Sequence, residues 1–141
     1  MAEQNQVRIY EDLYLNRGSR GFREFAGVHV SDASVFTEFL GRYDAFYRSI
    51  RVRTHRIREF EGEIRHFYRR FRRLYPTLTT PNVYFVIGTM SMGTNVAESG
   101  ILVGAELFGL GEHTSLEGLS RVQRAALRPL ASLPDALIHE L

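Results

Sequence analysis

Apolar residues recur at three- and four-residue steps through Phe36, Phe39, Leu40, Tyr43, Phe46, Tyr47 and Ile50. This is the stripe of an amphipathic helix, with Ser31 or Asp32 placed as its N-cap. A second stripe, Ile57, Phe60, Ile64, Phe67, Phe71 and Leu74, predicts another helix that Pro76 ends. Upstream, Val7, Tyr10, Leu13 and Tyr14 predict a shorter helix over Val7 to Leu15, closed by Asn16-Arg17-Gly18, and a brief helical turn covers Phe22 to Phe25. Beyond Pro76 the period changes. Val83-Tyr84-Phe85-Val86-Ile87, between Pro81-Asn82 and Gly88, and Ile101-Leu102-Val103, between Gly100 and Gly104, read as short buried strands. The polar link Thr89 to Ser99 predicts a loop or a wide hairpin. Thr114-x-x-Glu117 predicts a capping box that opens a helix through about Leu127. Ser132 or Leu133, with Pro134 in the first turn, starts a last helix with Leu133, Leu137 and Leu141 on one side.

These elements predict an α+β chain, helical over 4–75, with strands and loops over 82–113 and helices over 115–141. At 141 residues, 44% hydrophobic and 12% aromatic, it is long and apolar enough for one domain with a buried core. No apolar run approaches the roughly 18 residues a membrane span needs, and the start Met1-Ala2-Glu3-Gln4-Asn5-Gln6 has no apolar signal region. The compartment stays open. With no Cys, thiolate metal sites are excluded, and any metal must rest on His, Asp or Glu.

The net charge of +2 hides a skew, because all 18 basic residues are Arg and eleven of them fall between Arg42 and Arg73, against the four acids Asp44, Glu59, Glu61 and Glu63. Such a stripe can neutralise nucleic-acid phosphates or meet an acidic partner. Its interleaving with the apolar stripes also fits the solvated faces of two core-packing helices, with Arg58, Arg65, Arg69, Arg72 and Arg73 opposite the buried side.

The chemistry concentrates in Ile138-His139-Glu140-Leu141. In the motif His-Glu-x-x-His two imidazoles one helical turn apart bind Zn²⁺, and the Glu beside the first acts as general base on the bound water. The second His would fall two residues after Leu141. Other candidates have plainer readings. Glu63-x-x-His66 has the spacing of carboxylate-bridged di-iron bundles, but only one copy occurs. His113 follows Glu112 in a Gly-flanked loop and is either an accessory ligand or a loop residue. Glu98 and Glu106 bracket the second strand; Glu106 is either a partner orienting an active-site group or a strand-end carboxylate facing water. Gly88, Gly93, Gly100 and Gly104 match neither a P-loop nor a dinucleotide fingerprint.

Tyr75-Pro76, then Pro81 to Gly88, Gly100-Ile101-Leu102-Val103-Gly104-Ala105-Glu106, and Leu133-Pro134 leading into Ile138-His139-Glu140-Leu141 together resemble a family of bacterial predicted zinc-dependent proteases. Their shared domain is related to gliding-motility lipoproteins. The resemblance extends more loosely to Tyr14-Leu15 with Gly18-Ser19 and to Tyr47 to Arg51. It implies a zincin-like fold, incomplete over these residues and cut inside HExxH, with the strands ahead of the metal-binding helix. It implies His139 as a zinc ligand, Glu140 as general base, Zn²⁺ as cofactor of the complete protein, and a peptide or protein substrate, with this stretch inactive by itself. The strands would offer an edge to extended peptide. Two departures stand out: the loop Thr89-Met90-Ser91-Met92-Gly93-Thr94 has less Gly than the family pattern, and the second His and third ligand are not in this stretch.

Overall fold

The computed structural model describes residues 2–30 and 32–141; Met1 of the polar start and Ser31, one of the two candidate caps, lie outside the described residues. The chain runs through α1 (Ala2–Tyr10), α2 (Arg20–His29), α3 (Ala33–Arg42), α4 (Asp44–His55), α5 (Glu61–Leu74), β1 (Val83–Val86), β2 (Thr94–Ala97), β3 (Gly100–Gly104), α6 (Arg121–Ala126) and α7 (Leu133–His139). No helix among the described residues is long and apolar enough to cross a membrane.

The run Gly100-Ile101-Leu102-Val103-Gly104 lacks polar alternation because β3 is buried on both faces. It is the central strand of a mixed sheet ordered β1-β3-β2, parallel to β1 (Val83 opposite Ile101) and antiparallel to β2 (Thr94 opposite Val103). Ile101 and Val103 point to one side, where Ile57, Leu133 and Leu137 pack with Phe60 and Ile64. Leu102 and Val86 point to the other, against Phe22, Phe25 and Phe36. The sheet is therefore sandwiched between α5 and α7 on one face and α2 and α3 on the other.

Local chemistry fixes the element ends. Asp32 caps α3 by accepting from the Ser34 and Val35 amides at 2.8 and 2.9 Å. Seven-residue α7 is too short to persist alone, yet Pro134 opens its first turn and Leu133 and Leu137 are 0% and 1% exposed. Burying those two side chains stabilises it by roughly 3–6 kcal/mol.

Several expectations are corrected. The stripe from Phe36 to Ile50 belongs to two helices, because the chain bends at Tyr43 (φ −111°, ψ 29°). The bend sends Phe36 to the cluster around Leu102 and sends Phe46 and Ile50 to a third cluster with Leu107, Leu119 and Leu127, which one straight helix could not serve together. Leu74 is 73% exposed, since α5 has run past the core by its last turn. Thr114 caps no helix; its hydroxyl donates to Gly109 O and accepts from Gly111 N, tying a loop. The capping box is instead Ser120 with Gln123, opening α6. Asn16-Arg17-Gly18 does not form a glycine cap. The helix passes into a π-helical turn, Glu11–Leu15, closed by Asn16 N–H on Glu11 O at 2.9 Å. The Phe22–Phe25 turn is part of the longer α2. The link Thr89 to Ser99 contains β2, whose two-residue turn Glu98-Ser99 leads straight into β3. Glu24 of α2 holds that turn, accepting the Glu98 and Ser99 amides at 2.9 and 3.0 Å.

Gly100 follows that turn at φ +144°, and a Cβ there would collide with the Asn82 carbonyl that pairs with Ile101 N–H at 2.8 Å. Gly118, at φ +73°, has open space around it. Gly100→Ala is expected to destabilise by at least about 2 kcal/mol, from backbone strain plus a clash, and Gly118→Ala by only about 1 kcal/mol. Urea unfolding midpoints compare the two; equal costs would show that the β1–β3 approach is not tight.

Candidate functional site

Thr94 and Val103 are cross-strand partners, so Thr94 of edge strand β2 points to the sheet face that carries α7. There its hydroxyl donates to Glu140 Oε1 at 2.8 Å, across 46 residues of sequence. Glu140 is half-buried, and His139 beside it is exposed. His139 borders a cavity of about 470 Å³ whose wall includes Thr94, Leu107, Phe108, Ser132 and Asp135. Asp135 and His139 share this wall because four residues make about one helical turn.

His139 and Glu140 thus sit together at the sheet edge, and Thr94, which the sequence shows only as part of a polar link, sits with them. The remaining candidates do not join. Glu63 and His66 are exposed on α5, His113 is exposed in a turn, and Glu98 makes a surface ion pair with Arg20 at 3.2 Å. Among the described residues no group of three or more His, Cys, Asp or Glu converges as a metal site.

Glu106 occupies a different place. It lies in the 3₁₀ turn after β3, Ala105–Phe108, and is 0% exposed. Its Oε1 accepts the Met90 amide at 3.0 Å, with the Gly88 amide also directed at the carboxylate, while Oε2 has no partner among the described residues. Met90 takes a left-handed conformation (φ 56°) to present that amide. The same stretch of backbone is held by two phenols. Tyr14 donates to Ile87 O at 2.7 Å and accepts from Ile87 N at 2.9 Å, and Tyr47 donates to Gly88 O at 2.6 Å. Burial pushes both phenols upward, as does the nearby Glu106 charge. Burial also raises the Glu106 carboxyl to about 7, against the opposing pull of the amides from Gly88, its own residue and Met90. Its bonds go to the loop after β1, and none joins it to His139 or Glu140.

The Arg-rich segment is a surface. Arg48, Arg56 and Arg65 pair with Asp44, Glu59 and Glu61, one or so turns away on their own helices. Arg58, Arg69, Arg70, Arg72 and Arg73 are exposed, with no carboxylate within 4 Å among the described residues.

A carboxyl whose folded-state value lies above its unfolded one binds its proton more tightly when folded, so it contributes stability at low pH that is lost as pH rises through the folded value. For Glu106 the window runs from about 4.5 to about 7, and the loss amounts to about 3 kcal/mol. Glu106→Gln is expected to remove this slope, gaining on the wild type between pH 5 and pH 8 in urea titrations. A variant that kept the full slope would remove Glu106 from this role. Comparison of the chain with protein-family models, with curated proteins and with solved structures returns no match.

Proposed function

We propose that α7 contributes part of the active site of a zinc-dependent peptide hydrolase of zincin-like fold, with His139 as first imidazole ligand and Glu140 as general base. The observation that carries this reading is the 2.8 Å bond from Thr94 to Glu140, which fixes a carboxylate against an edge strand, one residue after a His that opens on a cavity. A catalytic zinc needs three protein ligands and an open position. His139 fits one of the three, and the described residues supply no cluster that completes the set; the proposal puts the second His two residues after Leu141. When bound, zinc lowers the pKa of its water to about 7 and polarises a carbonyl.

The chain's own contributions follow from position. Thr94 donates to Oε1 of Glu140, leaving Oε2 as the oxygen that would accept a proton from the water when zinc is bound. Glu140 is half-buried in the turn that directly follows α7, at the end of a helix whose other face is locked into the core by Leu133 and Leu137. Strand β2 pairs only with β3 among the described residues, so its outer backbone groups can add an extended peptide as a further strand beside Glu140. Val96, 56% exposed and on the same face as Thr94, would touch that peptide.

A second reading rests on the five unpaired Arg of α5 and the turn before it, which would bind nucleic acid or an acidic partner; steeply salt-dependent retention of an arbitrary duplex would favour it. The first reading is tested by the residue two places after Leu141, expected to be His; any other residue removes its main support. In a chain that includes that residue, Glu140→Gln is expected to keep zinc stoichiometric while lowering peptide turnover by about 10²–10⁴-fold, and His139→Ala to lose the zinc. Residues 1–141 alone are expected to bind zinc weakly and to leave casein intact. Full activity in Glu140→Gln would take the base role from Glu140.

A further inference from the structure

A second cavity, of about 680 Å³, lies under α1 and shares no lining residue with the one at His139. Its size falls within the roughly 300–1,000 Å³ of small-molecule sites. Three helices each give it one stripe: Gln6, Ile9, Tyr10 and Leu13 from α1 and the π-helical turn, Phe36 and Leu40 from α3, and residues 44, 47, 48, 51, 54 and 55 from α4. The floor is closed by Tyr14, Tyr47 and Ile87, whose polar atoms are already bonded to one another or to Gly88. The floor therefore offers a ligand only apolar surface, while Gln6, Thr54 and His55 add polar atoms to the walls.

Two features separate this cavity from an ordinary gap between helices. Ile9 and Leu13 border it while 48% and 58% exposed, so large aliphatic side chains wait uncovered. The π-helical turn Glu11–Leu15 forms part of the wall, and such turns concentrate at functional sites. The charged lining residues are Asp44, Arg48 and Arg51, with His55 beside them. Asp44, the only lining carboxylate, is taken by Arg48 at 2.6 Å, whereas Arg51 is exposed there with no carboxylate within 4 Å among the described residues. A half-open, mainly apolar groove bordered by the unpaired guanidinium of Arg51 complements a molecule with an apolar body and a single anionic end.

We infer that this cavity binds an anionic amphiphile, a medium-chain carboxylate in chemical class, with its alkyl body among Ile9, Leu13 and Leu40 and its carboxylate on Arg51. The guanidinium can take both carboxylate oxygens at once. The site does not depend on the zinc reading, because the two cavities share no residue.

Calorimetric titration of the full chain with octanoate, decanoate and dodecanoate tests this, with decylammonium as the charge control. Affinity is expected to rise about several-fold per two added carbons, from apolar burial, with decylammonium at least about ten-fold weaker than decanoate. Arg51→Glu is expected to weaken decanoate by about ten-fold or more, and Leu13→Asp to do the same through the apolar wall, while Arg121→Glu on α6, exposed and outside the groove, leaves binding unchanged. Equal binding of decanoate and decylammonium, no dependence on chain length, or an unaffected Arg51→Glu would overturn the proposal. Sedimentation without ligand gives a further check. A dimer that Leu13→Asp converts to monomer would make a second copy of the chain the occupant and overturn it too.

Discussion

Everything in this fold is arranged around the backbone that leaves β1. Because β1 is parallel to β3, its one neighbour among the described residues, the chain cannot return by a tight hairpin and runs through a partly buried stretch from Ile87 to Met90 before reaching β2. Peptide groups on that path have no ladder to join, and each left unpaired in a buried setting costs roughly 1–3 kcal/mol. Tyr14, Tyr47 and Glu106 satisfy them, reaching in from the N-terminal helical region, from α4 and from the turn after β3. One short loop thereby determines where three distant elements sit. The π-helical turn has a reason in this constraint, since an extra residue per turn changes the direction of Tyr14 without ending the helix.

Glu106 contributes the most strained part of this arrangement. A hydroxyl can both donate and accept, but an ionised carboxylate only accepts, so Glu106 suits amide donors and Oε2 is left bare. Retaining a proton near neutral pH lowers the burden of that bare oxygen. The left-handed Met90 adds backbone strain of order 1 kcal/mol to deliver its amide. The loop accepts this because the alternative is an orphaned peptide in the same place.

What was legible in the sequence was what repetition and composition encode. Ile101-Leu102-Val103 could be read as a short buried strand, and Pro134 with Leu133 and Leu137 marked α7, because burial and helix initiation are local properties. The same reading of Val83 to Ile87 is corrected, since β1 is an edge strand with only Val86 buried and Phe85 38% exposed. The break at Tyr43 was not legible: the apolar spacing continues through it, and only the competing demands of two clusters bend the chain. Thr114 and Glu117 have capping spacing, yet Gly109 and Gly111 claim the Thr114 hydroxyl for a loop. Tyr14 and Tyr47 looked like core-stripe residues, and no local pattern announces hydroxyl partners 73 and 41 positions away. For the site, the adjacent His139 and Glu140 were visible, whereas Thr94 lay hidden in the polar link until β2 set its direction.

The contrast between two glutamates gives the site its physical sense. Glu106 is enclosed, holds backbone amides and cannot reach any solute without unfolding the loop above it. Glu140 is fixed by one hydroxyl, borders solvent and caps the end of a helix anchored by two fully buried leucines. Environment divides identical side chains between an enclosed, structural position and an accessible one, and only the accessible one suits the proposed role of base. Rigidity on the core side of α7 and access on its other side are what a base beside a metal ligand requires. Thr94 also removes a degree of freedom: with Oε1 occupied, only Oε2 of Glu140 is left for the base role proposed for it. Under the proposed reading, the edge strand that would receive a peptide is also the strand that sets that carboxylate, so substrate and base would be coupled through Thr94.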